Sequence, residues 1–255
     1  MPGPEEAQYA TPANLTARGD LHARYASEDW FGFVHDKIGL TSGETVLDIG
    51  CGAGWIWERE GLPEIALTLA DRSPAMVEAA LGRAKVADTH GEVADAASLG
   101  FAAGQFDVIL ALHMAYHLEN PAEALAQMAP LLKEGGRLVL SVNGTGNLGP
   151  LWNIAAECLG IAPVDPSVVL FSDLAAEAAL AATFREIERH DFVDLYRVAE
   201  AEPLVAYLAS LPPAAEGGAA ALPAIRTSVE DALARGPLEL PRRSAVLVAR
   251  APKQP

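Results

Sequence analysis

The sequence predicts an α/β fold, a mostly parallel sheet covered by helices on both faces. Two observations predict it. Short apolar runs of strand length alternate with helix-forming segments between residues 45 and 142. One of those runs also ends in three closely spaced glycines just before a helix-like segment, as happens at the ligand edge of an open α/β sheet. A chain of 255 residues suits one such domain with insertions, or one domain plus a small cap. Hydrophobic residues make up 51% and charged residues 20%, enough apolar material for a packed core.

The elements follow in order. The first forty residues read as a helical arm, with Leu21, Tyr25, Trp30, Phe31 and Val34 as an apolar stripe and 40–44 as a turn. Thr45 to Ile49 is a strand, and Trp55 to Arg59 begins a helix. Ala66 to Ala70 is a second strand, followed by a helix from about Pro74 to Lys85. Gly91 to Asp95 holds a short third strand, and Phe106 to Ala111 is a fourth. Pro121 to Leu132 is helical, and the turn Lys133–Gly136 leads into a strand over Arg137–Val142. The stretch Asn143–Pro150 reads as a joint, and 151–183 as helices. Late strands are expected at Phe184–His190 and Ala245–Ala249, with helices at Glu202–Leu211 and Pro223–Arg235 between them. Pro212–Gly218 reads as a loop.

Charge narrows the partners. Eighteen basic residues face 34 acidic ones, for a net charge of −16. Phosphate backbones and anionic lipid are bound through basic patches, so nucleic acid and membrane are not expected partners; a small neutral or cationic molecule meets no such barrier. No run of about 18 uninterrupted apolar residues is present, so no membrane-spanning helix is expected. The acidic, proline-interrupted start is unlike a secretory signal, and Cys51 and Cys158 form neither a CxxC pair nor a zinc spacing. A reducing cytoplasm is the expected compartment. The oligomeric state is not legible.

The informative stretch is Val46–Gly54, in which Asp48 ends a strand and Gly50, Gly52 and Gly54 follow it. Glycines there let the backbone approach a ligand. A dinucleotide turn needs GxGxxG, and counted from Gly50 the last glycine is replaced by Trp55, so the cradle suits a nucleoside better than NAD. Asp71 ends the second strand, where an acid accepts from ribose hydroxyls. Asp95 follows the third strand, within reach of an exocyclic adenine amine; a helix cap or solvated loop position is the competing reading for each acid, weaker for Asp71 than for Asp95.

Read together, VLDIGCGAG, LADRSPAMVEAA, GEVADAASL, QFDVILALHMAYHL and LLKEGGRLVLSV, in that order, resemble the class I S-adenosyl-L-methionine-dependent methyltransferases. The resemblance is close over about 41–144 and looser beyond. It implies a Rossmann-like, seven-stranded sheet whose last strand is antiparallel. It also implies a helical lid over 1–40, a cofactor-binding core over 41–144, a helical substrate cap over 145–183 inserted after strand 5, and a C-terminal part, 184–255, that completes the sheet. By the same resemblance Gly50 and Gly52 line the methionine moiety, with Asp48 at the acidic position of the motif. Asp71 holds the ribose, Asp95 and Ala96 meet the adenine, and Met76, Arg72 and Leu112 lie along the adenosine. The arm would bring Tyr25 or Arg18 to the cofactor carboxylate.

The expected reaction is methyl transfer to O, N or C of a small aromatic or apolar metabolite, in specialised metabolism. His113 and His117 are four apart, so a helical turn would place both on one face. His117 is the candidate general base, with Tyr116 or His113 orienting the acceptor. A two-histidine metal site lacks a third ligand at a diagnostic spacing, and no metal is expected. Trp152, Cys158, Leu170 and Phe171, with Trp55 and Trp57, are expected to wall the acceptor pocket, unless they form the cap's own core. A nicotinamide oxidoreductase and a non-catalytic S-adenosylmethionine-binding module are the competing readings.

Overall fold

The computed structural model describes residues 13–253 except 213 and 215–219. Helices α1 (Ala13–Tyr25) and α2 (Trp30–Ile38) lead into strand β1 (Thr45–Ile49). Then come β2 (Ala66–Asp71), α3 (Pro74–Arg83), β3 (Asp88–Val93), β4 (Phe106–Leu112), α4 (Pro121–Met128) and β5 (Leu132–Asn143). The chain continues with α5 (Gly149–Leu159), α6 (Pro166–Leu170), α7 (Asp173–Thr183) and β6 (Phe184–Val198). Helices α8 (Ala201–Ala209) and α9 (Leu222–Leu233) precede β7 (Leu238–Pro252).

All seven strands form one sheet in the order β3-β2-β1-β4-β5-β7-β6. The pairs from β3 to β5 are parallel, and β7 runs antiparallel to β5, with Leu140 opposite Leu247. This is the seven-stranded, mostly parallel sheet expected. Strand order reverses between β1 and β4, the switch point beside which open α/β sheets place ligands.

The chain divides into two units. One comprises Trp30–Gly144, Leu170–Phe192 and Ser244–Pro255, and holds most of the sheet. Its faces bury two cores, one around Leu47, Ile109, Leu140 and Phe184, the other around Val46, Leu69, Val108 and Trp57. Near-continuous apolar strands, such as the one from Val108 to Ala111 in β4, reflect burial on both faces. The other unit, the described part of Met1–Asp29 with Thr145–Val169 and Val193–Arg243, has a helical core built on Leu21, Trp152, Leu204, Tyr196 and Ile225. In it the Asp194 carboxylate is buried and accepts from Ser27 Oγ and from the Ser27 and Glu28 backbone N–H groups at the end of α1.

Several expectations need correction. The helix from Trp55 is a single 3₁₀ turn, Trp55–Glu58; Gly61, at φ 77, and Pro63 stop it. The third strand starts earlier and ends at Val93, because its register follows β2 from Ala66↔Asp88 to Asp71↔Val93. The turn Lys133–Gly136 is part of β5: Gly135, at φ 77, lies in an irregularity where the β4–β5 register shifts between Phe106 and Val108. The late strands run far longer than their apolar centres. The single apolar stripe expected along the arm is split: Leu21 and Tyr25 of α1 belong to one core and Trp30 and Val34 of α2 to another, while Phe31 is exposed. The loop read at Pro212–Gly218 lies largely outside the described residues.

One stretch, Pro166–Thr183, is apolar and long enough to cross a membrane by length and composition alone, although Ser172, Asp173 and Glu177 interrupt it. It is broken at Ser172, whose hydroxyl caps α7 by accepting from the Ala175 N–H. Its Asp173 is buried and pairs with Arg189 of β6 at 2.6 Å.

At the opposite end of the sheet from the glycines, Arg137 of β5 ties the entry to β1. Its guanidinium donates to Ile38 O, Gly39 O and both Glu44 carboxylate oxygens. Burial pushes the Glu44 carboxyl up, but the Arg137 bonds and the Thr41 N–H outweigh it and hold the pKa below the ordinary range. An acid with a depressed folded pKa adds stability above its unfolded pKa and loses it as pH falls through the folded one. We therefore expect Arg137→Met to lower stability by about 1–2 kcal/mol near neutral pH. The deficit should shrink as pH falls through the depressed Glu44 pKa and the carboxylate protonates, which denaturant titrations across pH would show.

Candidate functional site

The site is built from the carboxyl edge of the parallel strands. β1 delivers Asp48 to its last turn of chain, and the backbone then bends through three left-handed glycines, Gly50 at φ 69, Gly52 at φ 53 and Gly54 at φ 73. The turn folds over the end of β2, where Ala70 O accepts from Gly50 N at 2.8 Å and Cys51 N at 3.0 Å. Each outer glycine makes room for something specific. A Cβ at position 50 would lie 2.7 Å from Met114 Cβ, and one at position 54 would lie 2.7 Å from Ala80 Cα of α3.

Asp71 pins this turn. Its Oδ2 accepts from Gly52 N at 3.0 Å and its Oδ1 from Ser73 N at 2.9 Å, so one carboxylate orders both the glycine loop and the entry to α3. Asp48 is buried, and its Oδ2 accepts from the Trp57 indole N–H at 2.7 Å. Burial drives the Asp48 pKa up to about 7; the Trp57 bond opposes this and the Asp71 charge adds to it. Burial, then the Asp48 and Asp71 charges, push the Cys51 thiol up as well, which makes it an inert small side chain rather than a nucleophile. Two carboxylates and an open glycine backbone form a donor-poor, acceptor-rich cradle, which fits a cationic ligand bearing hydroxyl groups.

The end of β4, next to β1 in the sheet, carries the histidines. His113 stands at φ 51, its backbone N–H donating to Ser141 O at 2.9 Å and its ring 5.2 Å from the Trp30 ring. The following 3₁₀ turn, Ala115–His117, places the Tyr116 and His117 rings 4.6 Å apart. The helical turn expected to align His113 with His117 is therefore absent, because His113 is left-handed and ends the strand rather than starting a helix. Asp95 is exposed and closes its own turn, accepting from Ala97 N through its carboxylate, with Ala96 buried behind it. Met76 is buried in α3, Leu112 is half-buried at the end of β4, and Arg72 is exposed beside Asp71.

The model of the methyltransferase-domain family matches residues 22–187. The chain belongs to the class I S-adenosylmethionine-dependent methyltransferases. Among its relatives are a malonyl-[acyl-carrier protein] O-methyltransferase from Hahella chejuensis, 33% identical over 38% of this chain and 36% of that protein, and a demethylmenaquinone methyltransferase from Renibacterium salmoninarum, 31% identical over 51% and 54%. The matched stretches thus span between about a third and a half of those relatives. A solved phosphoethanolamine N-methyltransferase from Haemonchus contortus, holding S-adenosylhomocysteine, shares the fold at TM-score 0.62 and 16% identity. That likeness covers 97% of this chain and 59% of that one.

Several residues considered for the acceptor pocket are core residues instead, the alternative kept open for them. Trp57 is fully buried in the sheet core, its indole N–H on Asp48. Trp152 belongs to the helical unit's core and Phe171 to the sheet's, while Leu170 is exposed. Tyr25 lies in the helical unit, half-buried against that unit's core with the Arg24 guanidinium 5.7 Å from its ring. Burial raises its pKa. Sequence reasoning missed two pairings. Trp57 with Asp48 has no local signature at a spacing of nine, and His22 Nδ1 with Tyr196 Oη, at 2.9 Å, joins residues 174 apart.

Proposed function

We propose that the chain transfers a methyl group from S-adenosyl-L-methionine to O, N or C of a small, aromatic or apolar acceptor by in-line displacement. The observation that carries this reading is the glycine turn pinned by Asp71 beside the buried Asp48 carboxylate. When bound, the cofactor supplies a methyl group already activated by its sulfonium.

The chain's own residues do the rest. Gly50 and Gly52 keep the backbone open to the methionine part. Asp71 offers the ribose hydroxyls the lone pairs that its two backbone bonds leave free. Leu112, Met76, Arg72, Ala96 and Asp95 flank the nucleoside. Holding the acceptor in line and excluding water supplies much of the rate. His117 takes the acceptor's proton where the acceptor is a hydroxyl or amine, with Tyr116 and His113 orienting it. Of the acceptors named for its relatives, demethylmenaquinone matches that aromatic and apolar class and is the first to try.

Calorimetric titration with S-adenosylhomocysteine beside NAD tests the cofactor class, and product mass with candidate acceptors tests transfer. Binding of NAD alone would replace this reading with the oxidoreductase one; binding of S-adenosylhomocysteine with no methylated product from any acceptor would favour a binding module. For Asp71→Ala we expect S-adenosylhomocysteine to bind about 1–3 kcal/mol more weakly, since a charged acceptor is lost and two backbone N–H groups are orphaned. Unchanged affinity would remove Asp71 from the site.

A further inference from the structure

Asp48 is the one site carboxylate that the backbone does not hold. Asp71 accepts two backbone N–H groups, whereas Asp48 has a single hydrogen-bond donor, the Trp57 indole at 2.7 Å, and its Oδ1 has none among the described residues. Trp57 is fully buried and comes from the 3₁₀ turn that follows the glycines, so the indole and the glycine turn form one covalent loop closed onto the carboxylate. The other groups facing Asp48 give its charge no support. Asp71, at the end of β2, is a like charge, and Cys51 on the turn is a neutral thiol. Its sheet neighbours in register are Leu69 on β2 and Leu110 on β4. A buried carboxylate with one donor, a nearby anion and apolar flanks is poorly held as an anion until a cation arrives.

We propose that Trp57 is a positioning residue that holds Asp48 for the cofactor, and that filling the glycine cradle expels a proton from Asp48. The proposal rests on the S-adenosylmethionine reading above. The step balances simply: the Asp48 carboxyl O–H bond breaks, its proton leaves to solvent, and the bound cation replaces it as the counter-charge. Its sign is fixed. Cation binding favours the ionised acid, so affinity rises with pH up to the apo pKa of Asp48, about 7, and levels off above it.

The test is calorimetry of the full chain with S-adenosylmethionine and S-adenosylhomocysteine, in buffers of different ionisation enthalpy, for wild type, Asp48→Asn and Trp57→Phe. The wild type should lose about tenfold in affinity from pH 8 to pH 6 and release protons near neutrality. Asp48→Asn should lose that proton release and that slope, while any proton contributed by the ligand's own amine persists. Trp57→Phe should bind about tenfold more weakly near neutral pH, with its slope displaced to higher pH. If Trp57→Phe does not fold, the comparison of wild type with Asp48→Asn still decides the proton. Binding by wild type and Asp48→Asn with identical pH dependence and proton count overturns the proposal and leaves the cofactor reading intact. A Trp57→Phe profile that superimposes on wild type overturns the role of the indole. Failure of the wild type to bind either ligand at any pH sinks the cofactor reading itself, and the proposal with it.

Discussion

Gly54→Ala is expected to destabilise the protein by about 2–5 kcal/mol, the sum of two penalties at one position. Gly54 is left-handed at φ 73, a conformation that costs a residue with a Cβ about 1–2 kcal/mol. The new methyl would also stand 2.7 Å from Ala80 Cα and 2.8 Å from Ala80 Cβ, and the first of these is backbone that cannot rotate away. Overpacking of that kind typically costs about 1–3 kcal/mol. α3 would have to move off the turn, taking Met76 and the Ser73 contact to Asp71 with it. Chemical denaturation should show the loss, and S-adenosylhomocysteine affinity should fall in the same variant. A midpoint equal to wild type would mean that α3 yields freely and that the glycine is not required by packing.

His117→Ala is expected to lower turnover by about 10²–10⁴-fold at saturating acceptor, the range that a positioned general base supplies. Cofactor affinity should hardly change, because the glycine turn and Asp71 lie on β1 and β2 rather than on the segment after β4. The split between turnover and binding separates a base from a packing residue. A packing role would change stability and leave the pH dependence of turnover as it was; loss of a base should remove an acidic limb from that profile. Turnover within a few-fold of wild type would show that the acceptor needs no proton removed at His117.

The cofactor half of the site was legible because its signals are local. Glycines two apart after a strand, and acids at the ends of successive strands, are properties of short windows, and the sheet order places those windows along one edge. What stayed hidden depends on dihedral angles and distant partners. His113 and His117 have helical spacing, yet spacing cannot reveal that residue 113 is left-handed. Trp57 resembled a pocket aromatic, and only the buried Asp48 explains why an indole is needed there. β6 was read too short for a different reason. Its buried phase includes Phe192, Asp194, Tyr196 and Val198 while Val193 and Leu195 are exposed, so the apolar pattern occupies both phases and the inward acid breaks it. Asp194 is tolerated because Ser27 and Glu28, far away in sequence, add their donors to the neighbouring Leu195 N–H.

The helical unit is not one stretch of chain but three, entering before α2, after β5 and within β6. None of the three stretches falls within β1 to β5, the part of the chain that carries the cofactor motifs. Insertions, deletions and substitutions in those three stretches can therefore accumulate without renumbering the cofactor motifs relative to one another. Descendants of one gene could keep the same methyl donor while exchanging what the helical unit is made of. The reverse operation fares worse: removing that unit by genetic engineering takes three excisions, and the last of them, Val193–Arg243, cuts both β6 and β7, so a minimal core would have to be rejoined in the middle of its own strands.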